Sequence, residues 1–168
     1  MKLKYTALTL GICSSLLLSA CAEEKRVEEK ETSHESHTEH AHEVAGDVQE
    51  ETSDKATAPE FLTGKPADMK TIYLAVAQNQ ELLEKIPCYC GCGEEANHKN
   101  NYDCFIHENK ENGAVVWDDH GTKCGVCLEI AAQSILDLND GMTIKDIRTK
   151  VDKAYEKGYA KPTPTPEV

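Results

Sequence analysis

The chain has eight cysteines, and six of them fall between residues 88 and 127. Three stand in the run Pro87-Cys88-Tyr89-Cys90-Gly91-Cys92-Gly93, Cys104 follows, and Cys124-Gly125-Val126-Cys127 completes the set. Core packing does not call for thiols at this density. Three chemistries do: coordination of a soft metal ion, thiol–disulfide exchange, or covalent stapling of a small fold. In extended backbone, alternate side chains share a face, so Cys88, Cys90 and Cys92 can turn toward one ion. Gly91 and Gly93 let the chain bend there without a Cβ clash. A Cys-x-Cys pair rarely closes on itself, because the small ring departs from preferred disulfide geometry. Thiolates select soft or borderline ions such as Cu(I) and Zn(II). Structural zinc sites usually space paired ligands by about two to four residues. Cys124 and Cys127 keep that rule and the Cys-x-Cys run does not, which puts Cu(I) ahead of Zn(II). The candidate ligands are Cys88, Cys90, Cys92, Cys104, Cys124 and Cys127, joined by His120, four residues before Cys124. His98 and His107 flank the same region as weaker candidates. Met69 and Met142 fall in expected helical segments, so a thioether copper site is not expected.

Two alternatives stand beside metal binding. The Cys124/Cys127 pair precedes a helical pattern, and a helix N-terminus next to Lys123 favours thiolate, as a thiol–disulfide redox protein requires. The helix hairpin after this Cys-x-x-Cys loosely resembles thiol reductases of cytochrome c maturation, although Lys123 and Leu128 stand where that family favours Arg and Gln. An even number of cysteines in a small exported domain also fits a disulfide-stapled binding module without catalysis. No phosphate-binding Gly-x-x-x-x-Gly-Lys loop, His-Glu-x-x-His or serpentine Ser nucleophile elbow occurs, so an enzyme is the less expected class.

The first twenty residues read as an export leader. Lys2 and Lys4 precede an apolar run from Ala7 to Leu18, too short for a comfortable membrane span. It ends in Leu18-Ser19-Ala20-Cys21, which resembles a bacterial lipobox. The resemblance implies cleavage before Cys21 and a diacylglycerol on its sulfur, and so a protein lipid-anchored to the outer face of a bacterial cell membrane. In that setting free thiols oxidise unless bound or kept reduced. The formal net charge of −12 disfavours nucleic acid and anionic lipid as partners and is compatible with collecting cations. Residues 21–60 carry almost no large apolar side chain and read as a disordered acidic tether. Within it, His34, His37, His40 and His42 alternate with Glu35, Glu39 and Glu43, a pattern suited to weak metal capture. The expected partners are the membrane, through Cys21, and a protein that receives metal or exchanges electrons.

The cysteines need a frame, and residues 61–160 are expected to supply it. A first helix is expected from about Pro66 to Lys85, with Ile72, Val76 and Leu83 on its apolar stripe beside Met69, Tyr73 and Leu82, stopped by Pro87. A second runs from about Gly125 to Leu138, burying Ile130, Ala131, Ser134 and Ile135, and ends at Asn139-Asp140-Gly141. A third runs from Thr143 to about Lys157, with Thr143 and Asp146 as a capping box and Ile144, Ile147, Val151 and Tyr155 inward. The last two should form a helical hairpin. Cys104–Ile106 and Ala114–Trp117 pair as short strands around Asn112-Gly113. Trp117 is expected in the core. Residues 161–168 read as a Pro-rich tail. The expected fold class is therefore small and mainly α, or α+β with the hairpin counted: three helices, a Cys-rich loop and a short β-hairpin.

The run Pro87-Cys88-Tyr89-Cys90-Gly91-Cys92 resembles the bacterial lipoproteins grouped by a PCYCGC motif. The likeness extends from about Met69 to Pro166 and takes in His98, Cys104-Phe105, Trp117, His120, Cys124 to Cys127, the Gly141 turn and Ile147-Arg148. It implies an exported lipoprotein of one small domain, and names no ligand. The sequence expectation is thus a membrane-anchored extracytoplasmic metal-binding lipoprotein, buffering or delivering Cu(I) or Zn(II).

Overall fold

A computed structural model describes residues 41–44, 46–91, 93 and 95–168. The strands are β1 (Ala41–Val44), β2 (Asp47–Thr52), β3 (Ile106–Asn109) and β4 (Val115–Asp118), and the helices are α1 (Ala67–Gln78), α2 (Gln80–Leu83), α3 (Gly125–Asn139) and α4 (Ile144–Ala154). The fold is a small α+β one. Its sheet is antiparallel, in the order β1-β2-β4-β3.

The β3–β4 hairpin forms around Asn112-Gly113, with Ile106 opposite Trp117 and Asn109 opposite Val115, but its first strand starts at Ile106 rather than running over Cys104–Ile106, because Tyr102–Cys104 close a 3-10 turn. Gly113 takes φ +90°, the left-handed backbone that this turn demands and that glycine adopts without Cβ strain. The α3 and α4 helices pack as the expected hairpin. Thr143 caps α4 by accepting a hydrogen bond from the Asp146 N–H at 3.2 Å. Ile130 and Ala131 on α3 and Ile147 on α4 are fully buried. Each such aliphatic side chain contributes about 1.5–3 kcal/mol of burial free energy. Tyr73 of α1 joins this core to the sheet: its ring meets Phe105 edge-on at 4.9 Å and its hydroxyl donates to the Asp118 carbonyl at 2.9 Å.

Three further expectations change. The single helix expected over residues 66–85 is two, broken at Asn79 (φ −117°, ψ 38°), whose amide side chain donates to the Ala75 carbonyl. Asn competes for backbone groups in this way because its short amide reaches them.

The tether expected over residues 21–60 does not extend to residue 60. Ala41–Val44 and Asp47–Thr52 are strands, and β2 pairs with β4 in the middle of the sheet. The reason lies in the buried side chains of β2. They are Asp47 and Gln49 on one face and Thr52 on the other, all polar. Each is hydrogen-bonded, Gln49 to Asp118 and Thr52 to the Trp117 indole N–H, so burial costs little. A strand that packs polar side chains inward lacks the apolar alternation that marks a strand in sequence.

Residues 161–168, expected as a separate tail, fold back on the cysteine motif. Cys88 N donates to Thr163 Oγ1 at 2.9 Å, Thr163 N donates to the Cys88 carbonyl at 3.0 Å, and Ala160 N donates to the Tyr89 carbonyl at 3.2 Å. Arg148 of α4 donates to the Lys85 carbonyl and to Thr165 Oγ1, which fastens the returning segment to the helices. Pro162, Pro164 and Pro166 stiffen that segment, and Thr163 and Thr165 between them supply its polar contacts.

Candidate metal centre

Three elements deliver sulfur to one place. Cys88 and Cys90 lie in the loop after α2. Cys104 ends a 3-10 turn (Tyr102–Cys104) that leads into β3. Cys124 is the N-cap of α3 and Cys127 lies in its first turn. Cys124 makes no side-chain capping bond, so its thiol is available to the cluster. The tyrosine of the motif holds the loop down: Tyr89 stacks on Tyr155 at 5.5 Å, and its hydroxyl donates to Asp152 at 2.6 Å. Gly91 turns the loop at φ +85°, facing the Ala160 methyl.

The Cys88 sulfur lies 3.1 Å from that of Cys90 and 3.4 Å from that of Cys127. No disulfide joins Cys88, Cys104, Cys124 and Cys127. Two ligand groups built mainly on sulfur can be drawn, each with all its donor atoms within 4.8 Å of one another: Cys90, His120, Cys124 and Cys127, and Cys88, Cys104 and Cys127; His98, Cys104 and His120 form a third group, and Asp47, His98 and Asp118 a fourth. Around a tetrahedral ion with bonds of about 2.3 Å, ligand sulfurs stand about 3.8 Å apart. The Cys88–Cys127 separation of 3.4 Å is somewhat shorter than that value and the 4.8 Å bound somewhat longer, so these Cys/His clusters could hold a metal ion after small side-chain adjustments.

His120 is the most informative member. It sits on a 3-10 turn (Asp119–Thr122) that β4 runs into, with its backbone N–H bonded to Asp118. Its Nδ1 lies 3.0 Å from Asp47 Oδ2, and its Nε2 is buried with no hydrogen-bond partner. A carboxylate on Nδ1 fixes the imidazole so that Nε2 is presented to the sulfurs. Histidines that ligate metals are held this way, with the remote ring N–H on a carboxylate or carbonyl. Asp47 is itself held by Lys123 Nζ at 3.2 Å.

The electrostatics of the metal-free cluster follow from proximity. Thiols of Cys124 and then Cys127 donate toward Cys90, which drops to about 4, well below an ordinary thiol. Cys104 falls to about 7, with Cys127 and then Cys88 as donors. Cys127 is pushed up by the sulfurs of Cys104, Cys124, Cys88 and Cys90 together and keeps its proton. The Cys90 sulfur, then Asp47, raises His120 to about 9. The cluster therefore contains thiolate at neutral pH, the form a metal ion binds.

The structure brings Cys88, Cys90, Cys104, Cys124, Cys127 and His120 together. Cys92, Cys21, His34, His37 and His40 lie outside the described residues, and of His42 only the backbone, in β1, is described. His107 is exposed on β3 and belongs to none of these groups. His98 is buried with its ring 4.7 Å from that of His120. Sequence reasoning missed Asp47, because it lay in the presumed tether. The signal that could have found it is Gly46, which closes the β1–β2 turn at φ +87° directly before it. Trp117 is wholly buried, as expected. Among the described residues no helix is long and apolar enough to cross a membrane.

A family model described as a protein of unknown function with PCYCGC motif matches residues 10–168. No curated protein and no solved structure matches the chain.

Proposed function

The chain belongs to the family of proteins of unknown function that carry a PCYCGC motif, and we propose that it is a membrane-anchored extracytoplasmic lipoprotein that binds a soft metal ion, Cu(I) ahead of Zn(II), to buffer or deliver it. The observation that carries this reading is His120: a buried Nε2 without a hydrogen-bond partner, Nδ1 on Asp47, and the sulfurs of Cys90, Cys124 and Cys127 around it. The ring also faces the Cys90 sulfur, and a bound ion would take the place of that contact. Sulfur dominates the donor set, which supports a soft ion. Cys90 and Cys124 are half-buried while Cys88, Cys104 and Cys127 are closed off. An ion held at this rim is open to attack by a partner's thiols, which suits handover. In this reading Cys21 carries the lipid, and His34, His37, His40 and His42 collect metal weakly on the way to the cluster.

The test is native and denaturing mass spectrometry of the protein purified from an oxidising compartment without chelator. The expected result is an added mass of copper or zinc with the thiols intact, reduced in His120→Ala. A metal-free protein lighter by two hydrogens for each disulfide would overturn it. That outcome would favour the second reading, a thiol–disulfide redox protein, which draws support from the half-buried, low-pKa Cys90 beside Cys88. A redox titration would then separate a cycling bridge from a permanent staple.

A further inference from the structure

Five described sulfurs and the His120 imidazole make up the first two of these groups, six donors in all, with His98 beside Cys104 and His120, and a tetrahedral ion takes four. Cys90, His120, Cys124 and Cys127 fill one such set. Cys88 and Cys104 remain, 1% and 0% exposed, and they form the other group with Cys127. Cys127 alone belongs to both. It is fully buried on the first turn of α3, and the thiols of Cys88, Cys90, Cys104 and Cys124 all crowd it. Besides its sulfur contacts within the cluster, Cys104 lies 3.9 Å from the Asn100 carbonyl, too far for that oxygen to fix its sulfur.

We propose, resting on the reading above, that the protein holds two metal ions, with Cys127 as a thiolate bridge between the four-donor site and a second site made by Cys88, Cys104 and Cys127. The second site is all sulfur and closed to solvent, with no oxygen donor in the group. That chemistry selects a soft monovalent ion, Cu(I), over ions that complete their shell with water or carboxylate. Bridging also accounts for one buried sulfur lying among four others. Two cations are needed to offset the negative charge of so many thiolates in a site largely removed from water, where an uncompensated charge is costly. Each thiol that binds releases its proton to solvent as the ion arrives.

The test is anaerobic titration of the reduced full chain with Cu(I), against a chelator that competes with the weak histidine sites. Native mass spectrometry reads the stoichiometry and copper X-ray absorption reads the neighbours of each ion. The expected result is two copper ions per chain, a copper–copper scattering shell, and one ion with no such shell in Cys104→Ser. Cys88→Ser provides a second variant with the same expected loss, and the wild-type stoichiometry and scattering stand whether or not either variant folds. Saturation at one ion would overturn the bridge and leave the proposed function standing. Two ions without copper–copper scattering would also overturn it, as two separate sites. No copper at all would overturn both this inference and the function on which it rests.

Discussion

His120 and Asp47 act as a unit. The carboxylate holds the ring by Nδ1, so that Nε2 is fixed before any ion arrives. Asp47→Asn keeps the shape but removes the charge and lets the ring turn. The expected loss is about 10- to 100-fold in Cu(I) affinity, measured by competition with a chromophoric chelator, with the fold unchanged by circular dichroism. Gly121 shapes the same turn by having no side chain. A Cβ there would stand 2.5 Å from Phe105 Cε1 and 2.8 Å from the Tyr73 hydroxyl oxygen. Neither ring can retreat, because Phe105 and Tyr73 are wholly buried against each other. Gly121→Ala should therefore cost about 1–3 kcal/mol, seen as a lower urea midpoint, and should weaken metal binding by displacing His120. At this scale the cysteines and His120 were legible in the sequence, since spacing alone marks them. Asp47 and Gly121 were not. Their roles exist only once β2 lies beside β4 and Phe105 lies under the 3-10 turn.

Helices were easier to read than strands in this chain, and the reason is the solvent each faces inward. The α3 and α4 stripes are aliphatic and repeat with the helical period, so Ile130, Ile147 and Val151 announce their burial. The β2 strand buries only polar side chains, Asp47 and Gln49 on one face and Thr52 on the other, and nothing in that pattern separates it from a solvated linker until Asp118, Trp117 and His120 supply partners. The α3–α4 hairpin carries its own test. Lys150 donates to both oxygens of Asp137, at 2.8 and 2.7 Å. The Lys150 hydrogen bond holds the Asp137 carboxyl below its ordinary value of 3.8. A lowered carboxylate stabilises the fold fully above its unfolded value and stops doing so as pH falls through the folded one. Lys150→Met should then cost about 0.5 kcal/mol at neutral pH, as half-exposed ion pairs do. The difference between variant and wild type should shrink toward zero in acid, by urea unfolding of the metal-free chain at both pH values. A constant difference across pH would mean that the lysine stem, not its charge, does the stabilising.

At the scale of the whole molecule, the sheet begins at residue 41. Under the lipoprotein reading, Cys21 stands twenty residues before the first described strand, so at most about 70 Å of chain, at 3.4 Å per residue, can lie between them. Cys21→Ser should move the protein from the membrane fraction to the soluble exported fraction and abolish labelling by a fatty acid precursor, while metal stoichiometry in the purified protein stays unchanged. Retention of the variant at the membrane would remove the anchor from the proposal. The double hydrogen bond between Cys88 and Thr163 has a consequence for how the protein is made. A chain emerges from the ribosome, and from any translocation pore, N-terminus first. Every cysteine of the cluster is out before Thr163 arrives to clamp the first of them. The nascent protein thus passes through an interval in which its thiols are gathered but not yet latched, open to whichever oxidant or ion reaches them first. Its assembly is a race whose terms are set by the order of synthesis.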